Sequence, residues 1–240
     1  MLRRVATRDM RIAVIGNGRM GKAVTAMAAQ RGHVIHAVVE SAENTGGQAL
    51  TRERLAGCDV AVEFTRPDAV VDNLEKLIRL GIPTVCGTTG WYHHLPRITV
   101  LVETVGSTLL YAPNFSVGVH LFLRSARQLA EAMRERAEFA GSIIEEHHAS
   151  KRDAPSGTAL LLQQQSQVPG AAPPPITSLR QGTGAGTHTL SYQSEHETIT
   201  LTHVARDRQA FAAGVLLAAE WLPGKVGMFT FADVLSGTAG

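Results

Sequence analysis

The chain is poor in cysteine, lysine and aromatic residues, and it has no long apolar run. Its two cysteines, Cys58 and Cys86, are too few and too far apart for a zinc cluster or a C-x-x-C redox pair. They fit reduced thiols in a cytosol, with one buried disulfide as the weaker alternative. No apolar stretch approaches the roughly 18–20 residues a membrane-spanning helix needs, which excludes such a helix. An excess of one charge is missing too: 23 Lys and Arg stand against 21 Asp and Glu, a net of +2, and the basic residues are scattered. This excludes the clustered basic footprint of a nucleic-acid binder. The only lysines are Lys22, Lys76, Lys151 and Lys225, so a lysine inside a motif is informative. The opening MLRRVATRDMRIAVIG has arginines but neither the apolar core nor the A-x-A site of a secretory signal, so a cytoplasmic location is expected. Met10 directly precedes the first apolar strand, and residues 1–9 read as a frayed extension or a start-site artefact.

What is present is a chain of 240 residues, 44% hydrophobic and 18% charged, enough for one large domain or two modest ones. Its first half alternates short apolar runs with helical stretches, the pattern of a parallel α/β sheet. Residues 11–15 (RIAVI) predict a buried strand, followed by a glycine-rich turn and a helix to about Gln30. Further strands are expected at 33–40, 59–64, 84–87 and 107–112. Val70, Val71, Leu74, Leu77 and Ile78 recur at helical spacing and predict a crossover helix over 67–80. Residues 97–105 (RITVLVETV) stay open: β-branched side chains favour strand, the alternating order favours helix. After Pro113 the periodicity changes. A long helix is expected over 116–138, a strand over 141–148, a helix over 156–167 and a proline-rich loop over 168–178. Residues 187–193 and 196–205 alternate like half-buried antiparallel strands, and 207–222 reads as a closing helix. The expected fold class is α/β: a Rossmann-type dinucleotide-binding domain plus a second α+β domain with a mostly antiparallel sheet.

Two segments carry chemistry. In IAVIGNGRMGKAV, Gly16, Gly18 and Gly21 form a G-x-G-x-x-G pattern between strand and helix. The first glycine permits a tight turn, the second lets a pyrophosphate approach the backbone, and the third lets helix pack on strand. The helix N-terminus adds N–H donors and positive potential. Glu40 ends the second strand at the right distance to accept from a ribose 2′-hydroxyl; the plain alternative is a solvated strand-end carboxylate. Ser41 is uncharged, which favours NADH, while Arg19 in the turn leaves NADPH open.

The second segment, EEHHASKRDAPSGTAL over 145–160, gathers His147, His148 and Lys151. Two groups that titrate or donate near neutrality thus stand beside one cation. Pro155-Ser156-Gly157-Thr158 then opens a helix whose free N–H groups and hydroxyls form a carboxylate or phosphate cradle. A small, multiply anionic substrate is expected. Singly, each residue has a plainer explanation: imidazoles that end a strand, a solvated lysine, a serine that only caps a helix. No metal is expected, because adjacent histidines on a strand face opposite ways and no cysteine or carboxylate set completes a site. His93-His94 fails for the same reason and reads as surface.

HHASKRDAPSGTA resembles the E-x-HH-x-x-K-x-DAPSGTA signature of the 4-hydroxy-tetrahydrodipicolinate reductase (dihydrodipicolinate reductase) family. Blocks in the same order support it: GRMG after the first strand, EFTRP at 63–67, GTTG at 87–90, APNFSVGV at 112–119, Arg180, Gly182, Gly186 and His188, THVARDRQAF at 202–211, and GMFTFADVL near the end. The resemblance covers nearly the whole chain from Met10. It implies two domains, 1–113 with 212–240 for the dinucleotide and 114–211 for substrate and oligomerisation, assembled as a homotetramer. It further implies NADH- or NADPH-dependent reduction of an unsaturated cyclic dicarboxylate in diaminopimelate and lysine biosynthesis, with no nucleic-acid or membrane partner.

Carried onto this chain, the resemblance places Gly16, Asn17, Gly18, Arg19, Met20 and Gly21 on the pyrophosphate and Glu40 on the adenosine ribose. Phe64, Thr65, Gly87, Thr88, Thr89, Ala112, Pro113, Asn114 and Phe115 complete the cofactor site, with Arg208 and Phe211 near the closed active site. His148, Ser156, Gly157 and Thr158 would bind substrate carboxylate, and His147 and Lys151 would handle the proton. Hydride addition to a conjugated C=C–C=N system builds electron density on the neighbouring carbon, where such a proton is delivered. Three departures are visible: the turn GNGRMG is one residue shorter than the commoner form, the stretch from Thr158 to Arg180 is short, and Ser41 stands where some members carry arginine. Two alternatives stay open, another NAD(P)-dependent amino-acid dehydrogenase of similar architecture and a non-catalytic dinucleotide-sensing module.

Overall fold

The computed structural model describes residues 9–149, 151–168, 170–181 and 185–237. The expected extension at residues 1–9 lies, but for Asp9, outside them. In chain order the elements are β1 (Arg11–Ile15), α1 (Arg19–Gln30), β2 (Val34–Val39), β3 (Val60–Glu63), α2 (Val70–Arg79), β4 (Thr84–Cys86), α3 (Leu95–Val105) and β5 (Thr108–Tyr111). They continue with α4 (Val117–Ala132), β6 (Ala140–His147), α5 (Gly157–Gln165), β7 (Ile176–Arg180), β8 (Gly186–Gln193), β9 (Thr198–Ala205), α6 (Gln209–Trp221), β10 (Gly227–Thr230) and α7 (Phe231–Ser236). The chain divides into two compact units, Met1–Ser116 with Phe211–Gly240, and Val117–Ala210.

The first unit is built on a six-stranded sheet in the order β10-β5-β4-β3-β1-β2, with every pair parallel. Parallel strands covered on both faces read as unbroken apolar runs, and Ile12 to Ile15 are all fully buried. One core forms around Ala13, Ile15, Val39, Leu50, Ala61 and Leu77, a second around Val70, Leu74, Ile98, Val102 and Leu109. The open segment 97–105 is helix. Ile98 and Val102 bury one face, a proline sits in the first turn, and Gly106 at φ 68° stops the helix in the left-handed conformation. Burial of that face overrides the β-branched propensity. The strand β10 and helix α7 had no counterpart in the sequence periodicity; β10 extends the sheet edge beside β5.

The second unit carries a four-stranded sheet, β7-β6-β8-β9. Its pairs β6–β8 and β8–β9 are antiparallel, while β6–β7 is parallel. That parallel strand corrects the expected loop over 168–178: the prolines end at Pro175, and Ile176 to Arg180 pair with Ile143 to His147. The long helix also ends sooner than expected, at Ala132, because residues 134–138 are all exposed and offer no apolar face to hold it. One face of the sheet packs on α4 and α5 through Phe122, Ala126, Ile143, Leu162, Leu190 and Tyr192. The opposite face leaves Ile144, Leu179 and Val204 exposed beside a ladder of Thr and Ser. Cys58 and Cys86 are free thiols, and among the described residues no helix is long and apolar enough to cross a membrane.

Candidate active site

The carboxyl ends of β1 to β5 collect most of the expected cofactor residues. Gly16 follows β1, Glu40 follows β2, Phe64 follows β3, Gly87 follows β4 and Ala112 follows β5. In an open parallel sheet this is the edge where ligands bind. Gly16 has φ +96°, and a Cβ there would lie 2.2 Å from the Phe64 carbonyl oxygen. A Cβ on Gly21 would lie 2.0 Å from the Gly16 oxygen, whereas one on Gly18 would meet nothing within 4 Å. Gly16 and Gly21 therefore close the turn, and Gly18 leaves it open. Helix α1 starts at Arg19 without a side-chain cap or an acidic first turn, so its N–H groups and dipole face the opening. These residues fit a dinucleotide diphosphate.

Around Glu40 the chain places groups that spacing did not reveal. The Asn17 carboxamide donates to Glu40 Oε1 at 2.8 Å, and the Glu40 backbone N–H donates to Glu43. Arg54 donates to Glu43 at 2.7 Å and to the Val38 carbonyl at 2.8 Å. The Arg54 hydrogen bond, followed by the one from Glu40 N–H, brings the Glu43 carboxyl down to about 2. Two carboxylates thus stand at the end of β2. On the other side the Thr65 N–H donates to Thr88 Oγ1 at 2.8 Å, and the Phe64 ring occupies the space a side chain on Gly87 would need. Phe115 is buried between Phe64 and Phe231, Thr89 and Pro113 are exposed, and the Asn114 side chain accepts from Ser116 N–H. Met20 is half-buried, Arg19 and Arg208 are exposed, and Phe211 is half-buried in the first turn of α6. Arg208 belongs to the second unit, Phe211 to the first.

In the second unit the centre is Glu145 on β6, with a fully buried side chain. Its Oε1 accepts from Arg180 Nη2 at 2.7 Å, Ser178 Oγ at 2.7 Å and Ser156 N–H at 3.1 Å. Its Oε2 lies 3.1 Å from His147 Nδ1 and 3.8 Å from His188 Nε2. Burial alone would raise the carboxyl, but the hydrogen bonds from Ser156, Arg180 and Ser178 outweigh it and hold the group at about 2. Burial lowers His147, against the pull of Glu145. Burial, with His147 next to it, brings His188 down to about 4, so both imidazoles are neutral at pH 7. Ser156 Oγ lies 3.1 Å from His188 Nε2 and also caps α5 by accepting from Ala159 N–H. Lys151 pairs with Asp153 at 2.8 and 2.9 Å, and Arg180 also donates to the Asp153 carbonyl. Gly186 gives His147 its room, since a Cβ there would lie 2.6 Å from His147 Nε2.

The structure therefore brings His147, Lys151, Ser156, Gly157 and Thr158 into one unit, with half-buried His148 directly after β6. Sequence reasoning passed over Glu145 as a working residue, although it lies two positions before His147 and so on the same face of the strand. Arg180 and His188 had only the resemblance to recommend them. Gly182 and Ser150 lie outside the described residues. The expectation of no metal-type ligand set needs correction: Glu145, His147 and His188 bring ligand atoms within 4.8 Å of one another. The spacing hid this because His188 arrives from another strand, opposite Glu145 in the β6–β8 register. Arg180 already compensates the carboxylate charge. His93 is exposed and His94 half-buried in a single helical turn.

A parallel sheet with a glycine turn open to a diphosphate defines the class of dinucleotide-binding proteins, here with an appended second sheet. Solved structures share this fold. Dipicolinate-bound dihydrodipicolinate reductase from Paenisporosarcina sp. TG-14 superposes with a TM-score of 0.73 at 24% identity, over 93% of this chain and 98% of that one. An amine dehydrogenase from Mycobacterium smegmatis gives 0.62 at 12% identity, over 94% and 96%, a likeness of fold alone. Residues 10–115 match the family description "Dihydrodipicolinate reductase, N-terminus", and 118–235 match "Dihydrodipicolinate reductase, C-terminus". The 4-hydroxy-tetrahydrodipicolinate reductases of Christiangramia forsetii and Thiobacillus denitrificans are 36% and 33% identical, each over 95% of this chain and 98% of the relative. The chain belongs to the dihydrodipicolinate reductase family.

The Glu145 anchor has a measurable consequence. A carboxyl held at about 2 instead of 4.5 stabilises the fold at neutral pH by on the order of 3 kcal/mol. That contribution is complete above about 4.5 and is lost as pH falls towards 2. His188, lowered from 6.5 to about 4, acts with the same sign between those values. Thermal melts from pH 7 to 3 should show Glu145→Gln less stable than the parent at pH 7, with the gap closing below pH 4.5. A constant gap across that range would contradict the ionised, buried carboxylate.

Proposed function

We infer that this chain catalyses the NAD(P)H-dependent reduction of 4-hydroxy-tetrahydrodipicolinate to tetrahydrodipicolinate, with release of water, in diaminopimelate and lysine biosynthesis. The observation that carries this is the cluster around Glu145, which places a paired lysine, an arginine, two neutral imidazoles and a helix N-terminus together in one unit. A reductase with a small substrate follows from the family; the individual roles below are our proposals. The unit Met1–Ser116 with Phe211–Gly240 binds the dinucleotide, and Val117–Ala210 binds substrate. With its diphosphate held at the open glycine turn, a bound NADH or NADPH would supply the hydride.

The chain's own residues supply binding and the proton. The first N–H groups of α5, at Gly157 and Thr158, take one substrate carboxylate, with His148 and the Ser156 turn beside them. Lys151, already bonded to the Asp153 carboxylate, exchanges that partner for a substrate carboxylate. His147 is neutral at pH 7, with Nδ1 turned to the Glu145 carboxylate. The 4-hydroxyl leaves with a proton from the adjacent ring carbon as water, which gives the conjugated C=C–C=N system. The Lys151 ammonium then delivers a proton to the ring carbon next to the one that receives the hydride. His147, whose Nδ1 lies 3.1 Å from Glu145, holds the substrate edge against it.

Glu40 and Glu43 support NADH as the preferred cofactor: Glu40, oriented by Asn17, accepts from a ribose 2′-hydroxyl, and both carboxylates repel a 2′-phosphate. The free thiols support a cytoplasmic location. The uncovered face of the second sheet, with Ile144, Leu179 and Val204 exposed, supports a homotetramer formed by sheet-to-sheet packing.

Lys151→Met should lower kcat by about 10²–10³-fold with NADH affinity unchanged, and His147→Gln by a smaller factor. An unstable substrate generated in situ, with nicotinamide absorbance followed, gives the measurement, and full turnover in both variants would refute the roles. Glu40→Ala should weaken NADH roughly tenfold and NADPH much less; equal losses in a fluorescence titration would refute the ribose contact. Val204→Glu should lower the native mass from four times the 25.6 kDa subunit, read by light scattering. An unaltered tetramer would remove that face from the assembly.

A further inference from the structure

The first unit holds a second buried carboxyl that the chemistry above does not use. Glu63 is the last residue of β3, and its side chain is completely enclosed. Thr65 Oγ1 donates to its Oε1, Asn73 Nδ2 donates to the same atom at 3.2 Å, and Cys86 Sγ donates to Oε2 at 3.5 Å. The Thr88 side chain also interacts with it. These partners come from every side: Thr65 from the loop after β3, Cys86 from β4, Thr88 from the loop after β4, and Asn73 from α2. Cys86 is the only titratable group among them, and burial, with Glu63 beside it, pushes that thiol well above its usual value. Among the described residues Glu63 makes no ion pair. Burial likewise raises the Glu63 carboxyl.

The network has a direction. Thr65 N–H reaches across to Thr88 Oγ1 at 2.8 Å, and Trp91 Nε1 holds the Thr88 carbonyl at 2.8 Å. Asn73 also bonds Thr65 Oγ1 at 3.3 Å and is itself held by Asn44 at 2.8 Å. All of it converges on the residue directly before Phe64, whose ring fills the space over Gly87. We propose that Glu63 is a positioning residue for the dinucleotide, clamping the loop after β3 to the loop after β4 so that Phe64, Thr65, Gly87 and Thr88 form a preformed wall. It works as an uncharged acid. A carboxylic acid can accept from Thr65 and Asn73 on one oxygen while its own O–H donates to a threonine hydroxyl. An ionised carboxylate would lose that donated bond and stand buried without a cation, which is unfavourable. Preforming the wall removes an ordering cost from binding.

This rests on the first unit being the nucleotide site, and the test separates the two. NADH dissociation constants would be measured by fluorescence on the full chain, with folding checked by circular dichroism. Glu63→Gln, whose amide both accepts and donates, should bind NADH within about twofold of the parent at neutral pH, while Glu63→Ala and the shorter Glu63→Asp should lose at least about tenfold. Towards alkaline pH the parent should weaken relative to Glu63→Gln, because only the parent can ionise there. If Ala and Asp variants fail to fold, the Gln comparison at both pH values still decides. Loss of affinity in Glu63→Gln, a parent and Gln variant that follow the same pH curve, or full affinity in Glu63→Ala would each overturn the proposal. A parent that binds no NADH would overturn the nucleotide site itself, and this proposal with it.

Discussion

A single buried charge organises the second unit. Glu145 has no water to solvate it, and such a charge is tolerated only when paired and hydrogen-bonded. Arg180 from β7, Ser178 from β7 and the Ser156 N–H ahead of α5 meet that need at one oxygen. Satisfying the charge therefore fixes β7 against β6 and aims the start of α5 at the same place. The other oxygen faces His147 and His188. In the proposed function structural and chemical roles are joined, since Ser156 and Arg180, which hold Glu145, stand in the same cluster as Lys151 and the start of α5.

The first unit solves a different problem by different means. Its ligand edge is made mainly of backbone: glycines that let the chain approach itself, and a helix end with free N–H groups. Side chains gather at the rim, with Glu40 and Glu43 at one end and the Phe64–Phe115 pair at the other. The two buried carboxyls show how surroundings decide protonation. Glu145 sits among an arginine and strong donors and is ionised; Glu63 sits among hydroxyls, an amide and a thiol, and burial raises it. The same side chain serves as an anchor of charge in one unit and, in the role we propose for Glu63, as a hydrogen-bonding clamp in the other.

Much of this was legible along the chain, and the exceptions have physical causes. The strands β1, β3, β4 and β5 were readable because burial on both faces leaves unbroken apolar runs, and the glycine turn because Gly16 and Gly21 have no room for a side chain. Segment 97–105 was ambiguous because β-branched residues suit a strand locally, while the buried stripe of Ile98 and Val102 suits a helix in place. The strand at Ile176–Arg180 was hidden behind prolines, and its pairing with β6 was not a local property.

For the candidate site, the sequence alone singled out the candidates that lie close together in the chain: Gly16 to Gly21, His147, Lys151 and the Ser156 turn. Local sterics and spacing are enough to specify a turn, a strand end or a helix start. Only the tertiary structure decided that Glu145 is the anchor, that Arg180 and Ser178 serve it, and that both imidazoles beside it are neutral. Those facts depend on strand register and on exclusion of water, and both arise only when segments distant along the chain pack together.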